Sequence, residues 1–292
     1  MAPLNNTSRL FHRVAIIGVG LIGGSLAGAI KKGRLAGEVV GIDQDPAILD
    51  QALELDLIDW GFPEAEKGVE GAGLVVLAVP VGSIVTLASR VNPHLREGSI
   101  LTDVGSVKAP LVSAIEPIMP PGRFYVGGHP IAGSERSGPE AASPDLFRGA
   151  KCILTPTERT DREALEKVKL LWEDLGSIVV TMDPYRHDQV FAAVSHLPHI
   201  VAYSLINTLL DLGEEGDKLL AYSAGGFRDY TRIAGSHPVL WRDICLENRV
   251  AILQMVARFK KALERVEEMI AAQDGEALQA EFERARAVRS GI

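Results

Sequence analysis

Residues 127–138 read GGHPIAGSERSG and set one histidine, His129, before a proline in a run of glycine, serine and two charges, Glu135 and Arg136. An imidazole titrates near neutral pH, so a histidine in such a loop can take up or release a proton during a reaction. Three further polar sets stand out. DVGSVK (103–108) carries Ser106 and Lys108, and SHLPH (195–199) carries Ser195 and His199. GGFRDYTRIAGSHPVLWRDI (225–244) reads as a loop with Arg228, Asp229 and Arg232, and with Trp241 just beyond. Serine and histidine four apart share one helix face. A guanidinium grips a carboxylate with two parallel hydrogen bonds. Each set also has a plainer reading: His199 as a hydrogen-bonded core histidine, the arginines as solvated or paired with Asp229 or Asp243.

A second chemistry is written in RVAIIGVGLIGGSLAGAIKKG (13–33). An apolar β-branched run, Val14 to Ile17, precedes Gly18, Gly20 and Gly23 and then a helical stretch. Glycines in the pattern G-x-G-x-x-G between strand and helix suit a dinucleotide. Gly18 permits the tight turn, Gly20 lets the backbone approach a pyrophosphate, and Gly23 lets the helix pack on the strand. Leu21 and Ile22 complete the turn, and the helix start presents unpaired N–H groups to phosphate. A second strand, EVVGIDQDP (38–46), ends at Asp43, twenty residues after Gly23. A carboxylate there accepts from the ribose hydroxyls and repels a 2′-phosphate, which selects NAD over NADP. The alternative is that Asp43 only caps the helix that begins at Pro46.

The elements that must position these groups alternate. Strands are expected at 73–81, 99–108, 123–130, 149–157 and 177–183, with a helix over 161–176. In an open α/β sheet ligands bind beyond the carboxyl ends of the strands. The glycine turn, Ser106 with Lys108, and His129 should therefore share one rim, with His129 at the nicotinamide end. After 183 the strand signals stop, and 185–213, 242–272 and 274–289 read as helices, the first interrupted near Pro198. This gives a flexible lead-in (1–13), an α/β unit (14–182) and an all-helical unit (183–292), whose long apolar helix suits a dimer interface. The chain has 292 residues, 47% hydrophobic and 23% charged, enough for two ordinary cores. The formal net charge of -8 excludes a global basic field for nucleic acid. No apolar run has the length of a membrane span, and 1–13 lacks a signal-peptide core. Cys152 and Cys245 lie far apart, as two buried reduced thiols of a cytoplasmic protein and not as metal ligands.

GVGLIGGS, DVGSVK, GGHPIAGSERSG, SHLPH and GGFRDYTRIAGSHPVLWRDI occur in the same order as in the prephenate/arogenate dehydrogenase family of tyrosine biosynthesis, which this chain resembles from residue 14 to about 245. The resemblance implies an α/β Rossmann-type nucleotide-binding domain followed by an all-α dimerisation domain, with the active site between them. It implies NAD as cofactor, a homodimer, and oxidative decarboxylation of prephenate, or alternatively of arogenate. By resemblance His129 is the base and Ser106 bonds the same substrate hydroxyl. Arg232 holds the ring carboxylate, His199 with Ser195 meets the side chain, and Glu135 tunes polarity or closes the cleft. A β-hydroxyacid dehydrogenase would place a lysine in the helical unit, where Ser195, His196 and His199 stand instead. A silent NAD sensor would need no base and carboxylate clamp together. If Asp43 selects NAD, Asp43→Ala weakens NAD and narrows the gap to NADP in steady-state kinetics; equal efficiency with both cofactors in the parent protein would refute that role.

Overall fold

The structure, a computed structural model, describes residues 9–134 and 136–291. Six strands form an all-parallel sheet: β1 (Phe11–Ile17), β2 (Ala36–Ile42), β3 (Trp60–Phe62), β4 (Leu74–Leu77), β5 (Ile100–Asp103) and β6 (Phe124–Val126). Their order is β3-β2-β1-β4-β5-β6. The direction of winding reverses between β1 and β4, which opens a crevice at their carboxyl ends. Side chains alternate across the sheet. Val14 and Ile16 enter one core with Leu26 and Trp172, while Ala15 and Ile17 enter the other with Ile84, Leu101 and Trp241. Burial on both faces explains why β4 and the Val14–Ile17 part of β1 are continuous apolar runs. β1 begins at Phe11, which pairs with Ala36 and is buried, so the strand reaches three residues into the expected lead-in.

The run 123–130 is not one strand. It divides into β6 and β7 (Gly128–Pro130), and β7 joins a second sheet with β8 (Lys151–Leu154) and β9 (Ile178–Thr181). β7 is antiparallel to β8, and β8 is parallel to β9. The cause is the glycine pair. A Cβ on Gly127 would stand 2.6 Å from Thr155 Oγ1, and one on Gly128 2.9 Å from the Asp103 carbonyl. The chain leaves the main sheet through a gap with no room for side chains, and it carries His129 into β7.

The helical half starts at Pro184, capped by Asp183, whose side chain accepts from Arg186 N. Helix Pro184–Phe191, a π-turn Ala192–His196 and helix Leu197–Leu210 run as one rod of 27 residues, and an 18-residue stretch of it has mean hydropathy 1.3. The π-turn falls just before Pro198, whose missing N–H breaks the ladder. By length and composition this rod is long enough to cross a membrane, contrary to the expectation that no run was. Buried His187, Asp188 and His196 within it are hydrogen-bonded to protein groups.

The stretch 225–244 is helical rather than a loop. It forms helix Gly225–Thr231, a 3-10 turn Arg232–Gly235, and helix Pro238–Glu247. The paired glycines stand at a helix start, where they cost little, and His237 caps the last helix by accepting from Val239 N. Trp241 and Ile244 pack into the same core as Val81, Ile84 and Ala88 of helix Val81–Val91. Gly82 makes that approach possible, since a Cβ there would lie 2.9 Å from Asp243 Oδ2. The segment 242–272 is two helices, broken at buried Asn248, with Arg249–Ala271 and Gly275–Arg289 completing the chain. Cys152 is buried and Cys245 only half-buried; both are free thiols.

A Cβ on Gly23 would meet the Gly18 carbonyl at 1.8 Å, a backbone atom that cannot swing away, whereas one on Gly20 meets nothing within 4 Å. Gly23→Ala should therefore cost about 1–3 kcal/mol or more in denaturant unfolding, while Gly20→Ala unfolds near the parent midpoint. Equal midpoints for the two variants would contradict this packing.

Candidate active site

Three adjoining cavities run along the carboxyl edge of the main sheet. The first, about 550 Å³, is lined by Gly18, Gly20, Asp43, Thr86 and Arg90 among others. Gly18 has φ +91°, a turn conformation that favours glycine. Gly20 precedes helix Leu21–Gly33 with no side-chain cap, so the first N–H groups of that helix have no capping side chain. Open space beside Gly20 and tight packing behind Gly23 together make a cradle that fits a pyrophosphate. Asp43 does not cap the next helix: Asp45 does, accepting from Ala47 N at 2.9 Å. The Asp43 carboxylate instead accepts from Val19 N (3.2 Å) and Asp45 N (3.1 Å) and faces the cavity. Arg90 is held by Glu66 at 2.8 Å.

The second cavity, about 490 Å³, shares Gly20 with the first and adds Leu21, Ile22, Ser106, His129 and Arg136. The third, about 560 Å³, is lined by Ser106, His129, Ser195, His196, His199, Arg232 and Trp241. Ser106 and His129 line both, at the junction. The structure thus gathers His129, Ser106, Ser195, His199 and Arg232 in one place, with Gly20, Leu21 and Ile22 next to them and Gly18 and Asp43 beyond. Gly23 packs behind the turn. Glu135 lies outside the described residues.

Lys108 departs from expectation. It is fully buried rather than on the rim, because its ammonium pairs with Asp103 and donates to the Gly128 carbonyl at 2.7 Å. Tyr125 donates its hydroxyl to the other Asp103 oxygen at 2.7 Å. A buried cation survives only with such partners. Here they pin the end of β5 to the residue before His129.

His129 is 9% exposed, and its Nδ1 lies 2.9 Å from His187 Nε2. His187 Nδ1 lies 2.8 Å from Asp188 Oδ1. Asp188 also accepts from Lys108 N (2.8 Å) and Ala109 N (2.9 Å). The sequence reading missed His187 and Asp188; their only signal was a titratable pair near the start of the long helical run. Burial holds the His129 imidazole well below its ordinary pKa, helped by neighbouring His187, Lys108 and His196. His187 is lowered by burial against the opposing pull of Asp188.

Deeper in the third cavity, His199 Nδ1 donates to the Ser195 backbone carbonyl at 2.8 Å. Its ring stacks on Trp241 with centroids 3.7 Å apart. Burial lowers its pKa, and the Arg232 charge lowers it further while the Ser195 carbonyl opposes. His196, also missed as a site residue, is pushed down to about 4, mainly by burial. Asn248 Nδ2 lies 3.1 Å from His196 Nδ1, so that nitrogen accepts and the proton of the neutral ring sits on Nε2. His196 Nε2 and Trp241 Nε1 are buried donors without a protein partner. Among the described residues no cluster of three acidic, histidine or cysteine side chains is placed to hold a metal.

A neutral imidazole and a hydroxyl at the junction, a guanidinium beside them, and a phosphate cradle next door define a class: a nucleotide-dependent dehydrogenase that oxidises an anionic alcohol. The chain belongs to the prephenate dehydrogenase family. The family's nucleotide-binding domain matches residues 26–181 and its dimerization domain residues 183–284. The chain is 37% identical over 280 residues to the prephenate dehydrogenase of Bacillus subtilis, covering 96% of this chain and 76% of that one. It is 37% identical over 284 residues to the cyclohexadienyl dehydrogenase of Zymomonas mobilis, covering 97% of each. The crystal structure of prephenate dehydrogenase from A. aeolicus, in complex with hydroxyphenyl propionate and NAD+, superimposes with a TM-score of 0.90 at 39% identity, over 96% of this chain and 98% of that one. The cofactor is NAD.

The depressed His129 pKa has a kinetic consequence. If His129 is the base, only its free form accepts a proton, so activity is retained at high pH and lost as pH falls through this pKa. Because the folded value lies below 6.5, the acid limb of kcat/KM should fall below pH 6.5 and be absent in the residual activity of His129→Asn. An acid limb above pH 7 would contradict the assignment.

Proposed function

We propose that this chain catalyses the NAD-dependent oxidative decarboxylation of prephenate to 4-hydroxyphenylpyruvate, in tyrosine biosynthesis. The observation that carries the reading is His129, a buried imidazole lining both the cavity beside the phosphate cradle and the cavity with Arg232. Bound NAD+ supplies the hydride acceptor. His129 takes the proton of the ring hydroxyl as the hydroxyl-bearing carbon gives up its hydride, and Ser106 orients that hydroxyl. The ring carboxylate, held by Arg232, leaves as carbon dioxide. Its bonding electrons make the ring aromatic, and His129 returns the proton to the phenolate oxygen. Gly18, Gly20, Leu21 and Ile22 would receive the pyrophosphate, and Asp43 the adenosine ribose.

His199 and Ser195 frame the side-chain end. Similarity to proteins named prephenate dehydrogenase, among them the Bacillus subtilis relative, favours prephenate over arogenate as the substrate. We further propose a division near 182–184 and a homodimer joined through the helical half, working in the cytoplasm. The dimer reading draws on the family description of residues 183–284 and on exposed Leu246, Val250 and Leu253.

NADH formation measured with prephenate, arogenate and a simple 3-hydroxy acid tests the reading, with prephenate turned over fastest. Preference for either competitor would overturn it. Arg232 binds a carboxylate that departs uncharged, so it stabilises the ground state more than the transition state. Arg232→Ala should raise KM with kcat comparatively intact, lowering kcat/KM by ~30-fold to several thousand-fold, and Arg232→Lys should recover only part. A KM effect from Arg228→Ala and none from Arg232→Ala would move the clamp to Arg228.

A further inference from the structure

We infer that His187, oriented by Asp188, is a positioning residue that fixes His129 in the tautomer carrying its proton on Nδ1, so that Nε2 offers a lone pair to the substrate cavity. The inference rests on reading His129 as the base. The argument starts at Asp188. Its Oδ1 accepts from Lys108 N and its Oδ2 from Ala109 N, and backbone donors cannot reverse their role. Both oxygens are therefore acceptors, and the group is a carboxylate. His187 Nδ1, 2.8 Å from Oδ1, must then carry a proton. Two nitrogens 2.9 Å apart share one proton, so between His187 Nε2 and His129 Nδ1 one donates and the other accepts. Burial disfavours a second proton on His187, which leaves its Nε2 as the acceptor. His129 Nδ1 is then the donor, and the second nitrogen of a neutral ring has no proton. Nε2 is thereby the atom able to take the hydroxyl proton.

The rings are also held in place. His129 meets His187 edge-on, with centroids 5.1 Å apart, and Phe191 at 4.8 Å. The titratable groups facing His129 come from four elements. His187 and Asp188 lie on helix Pro184–Phe191, and His196 on the π-turn after it. Lys108 and Asp103 stand at the end of β5, and Cys152 on β8 receives the His129 backbone N–H. Burial, His187, Lys108 and His196 all oppose a charge on His129, so the base is kept neutral at rest. Without an acceptor at Nδ1, an imidazole in water prefers its proton on Nε2, the form that cannot act as base here.

Long-range 1H–15N correlation spectra of the full chain, labelled in histidine and assigned by the signal lost in His129→Asn, read the tautomer directly. The expected result is His129 protonated at Nδ1 and bare at Nε2; protonation at Nε2 would overturn the inference. His187→Leu should shift His129 towards the Nε2-protonated form and lower kcat about 10- to 100-fold, with KM for prephenate and NAD+ affinity unchanged. His187→Gln, whose amide oxygen can accept from Nδ1, should restore the parent tautomer and most of kcat. If His187→Leu keeps the parent tautomer and kcat, His187 does not position the base. Failure of the parent protein to oxidise prephenate would remove the proposed function, yet the spectra would still decide the tautomer.

Discussion

Asp188 is the contact on which the site depends. It is a carboxylate on the first helix of the helical half, 5% exposed, whose oxygens receive the backbone N–H groups of Lys108 and Ala109, after β5 in the nucleotide-binding half. A buried charge with incomplete hydrogen bonding would be costly, so the two halves must dock in the one arrangement that satisfies it. The same carboxylate engages His187, and the Asp188 carbonyl accepts from Asn248, at the break between two later helices. One residue therefore ties together the turn after β5, the long rod and the helix junction. His129, two contacts away, inherits its orientation from that docking.

Close backbone approach does the rest. Gly127 and Gly128 let the chain slip from the main sheet to the second sheet, and Gly82 lets helix Pro238–Glu247 settle against helix Val81–Val91. Trp241 is carried on that helix and forms part of the wall of the third cavity. The buried Lys108–Asp103 pair works alongside by holding the carbonyl of Gly128. These are packing constraints with chemical results. They bring an imidazole, a guanidinium and a hydroxyl from distant segments to one cavity.

Burial gives the site its electrostatic character. Four histidines, at 129, 187, 196 and 199, all have pKa values below the ordinary one, with desolvation as the leading cause. The third cavity is consequently lined by the neutral imidazoles of His129, His196 and His199, with His187 packed behind His129. The positive charge in the cavity wall belongs to Arg232, which focuses attraction on the anionic part of a substrate.

Local sequence was sufficient for the features that local physics controls. The run Val14 to Ile17 followed by Gly18, Gly20 and Gly23 marks strand, turn and helix because strand burial and glycine's conformational freedom act over a few residues. Asp43 could be placed at a strand end by counting, and Ser195 with His199 by helical period. The order of the motifs was enough to suggest the family. Sequence did not foretell that 123–130 divides between two sheets or that 225–244 is helical, since both outcomes depend on contacts with Thr155, Asp103 and the Val81–Val91 helix. Nor did it reveal why Lys108 is buried or what His187 and Asp188 do. A lysine, a histidine and an aspartate are polar wherever they occur; only the folded chain, by withdrawing water and setting partners about 3 Å apart, decides which carries a proton and which accepts one.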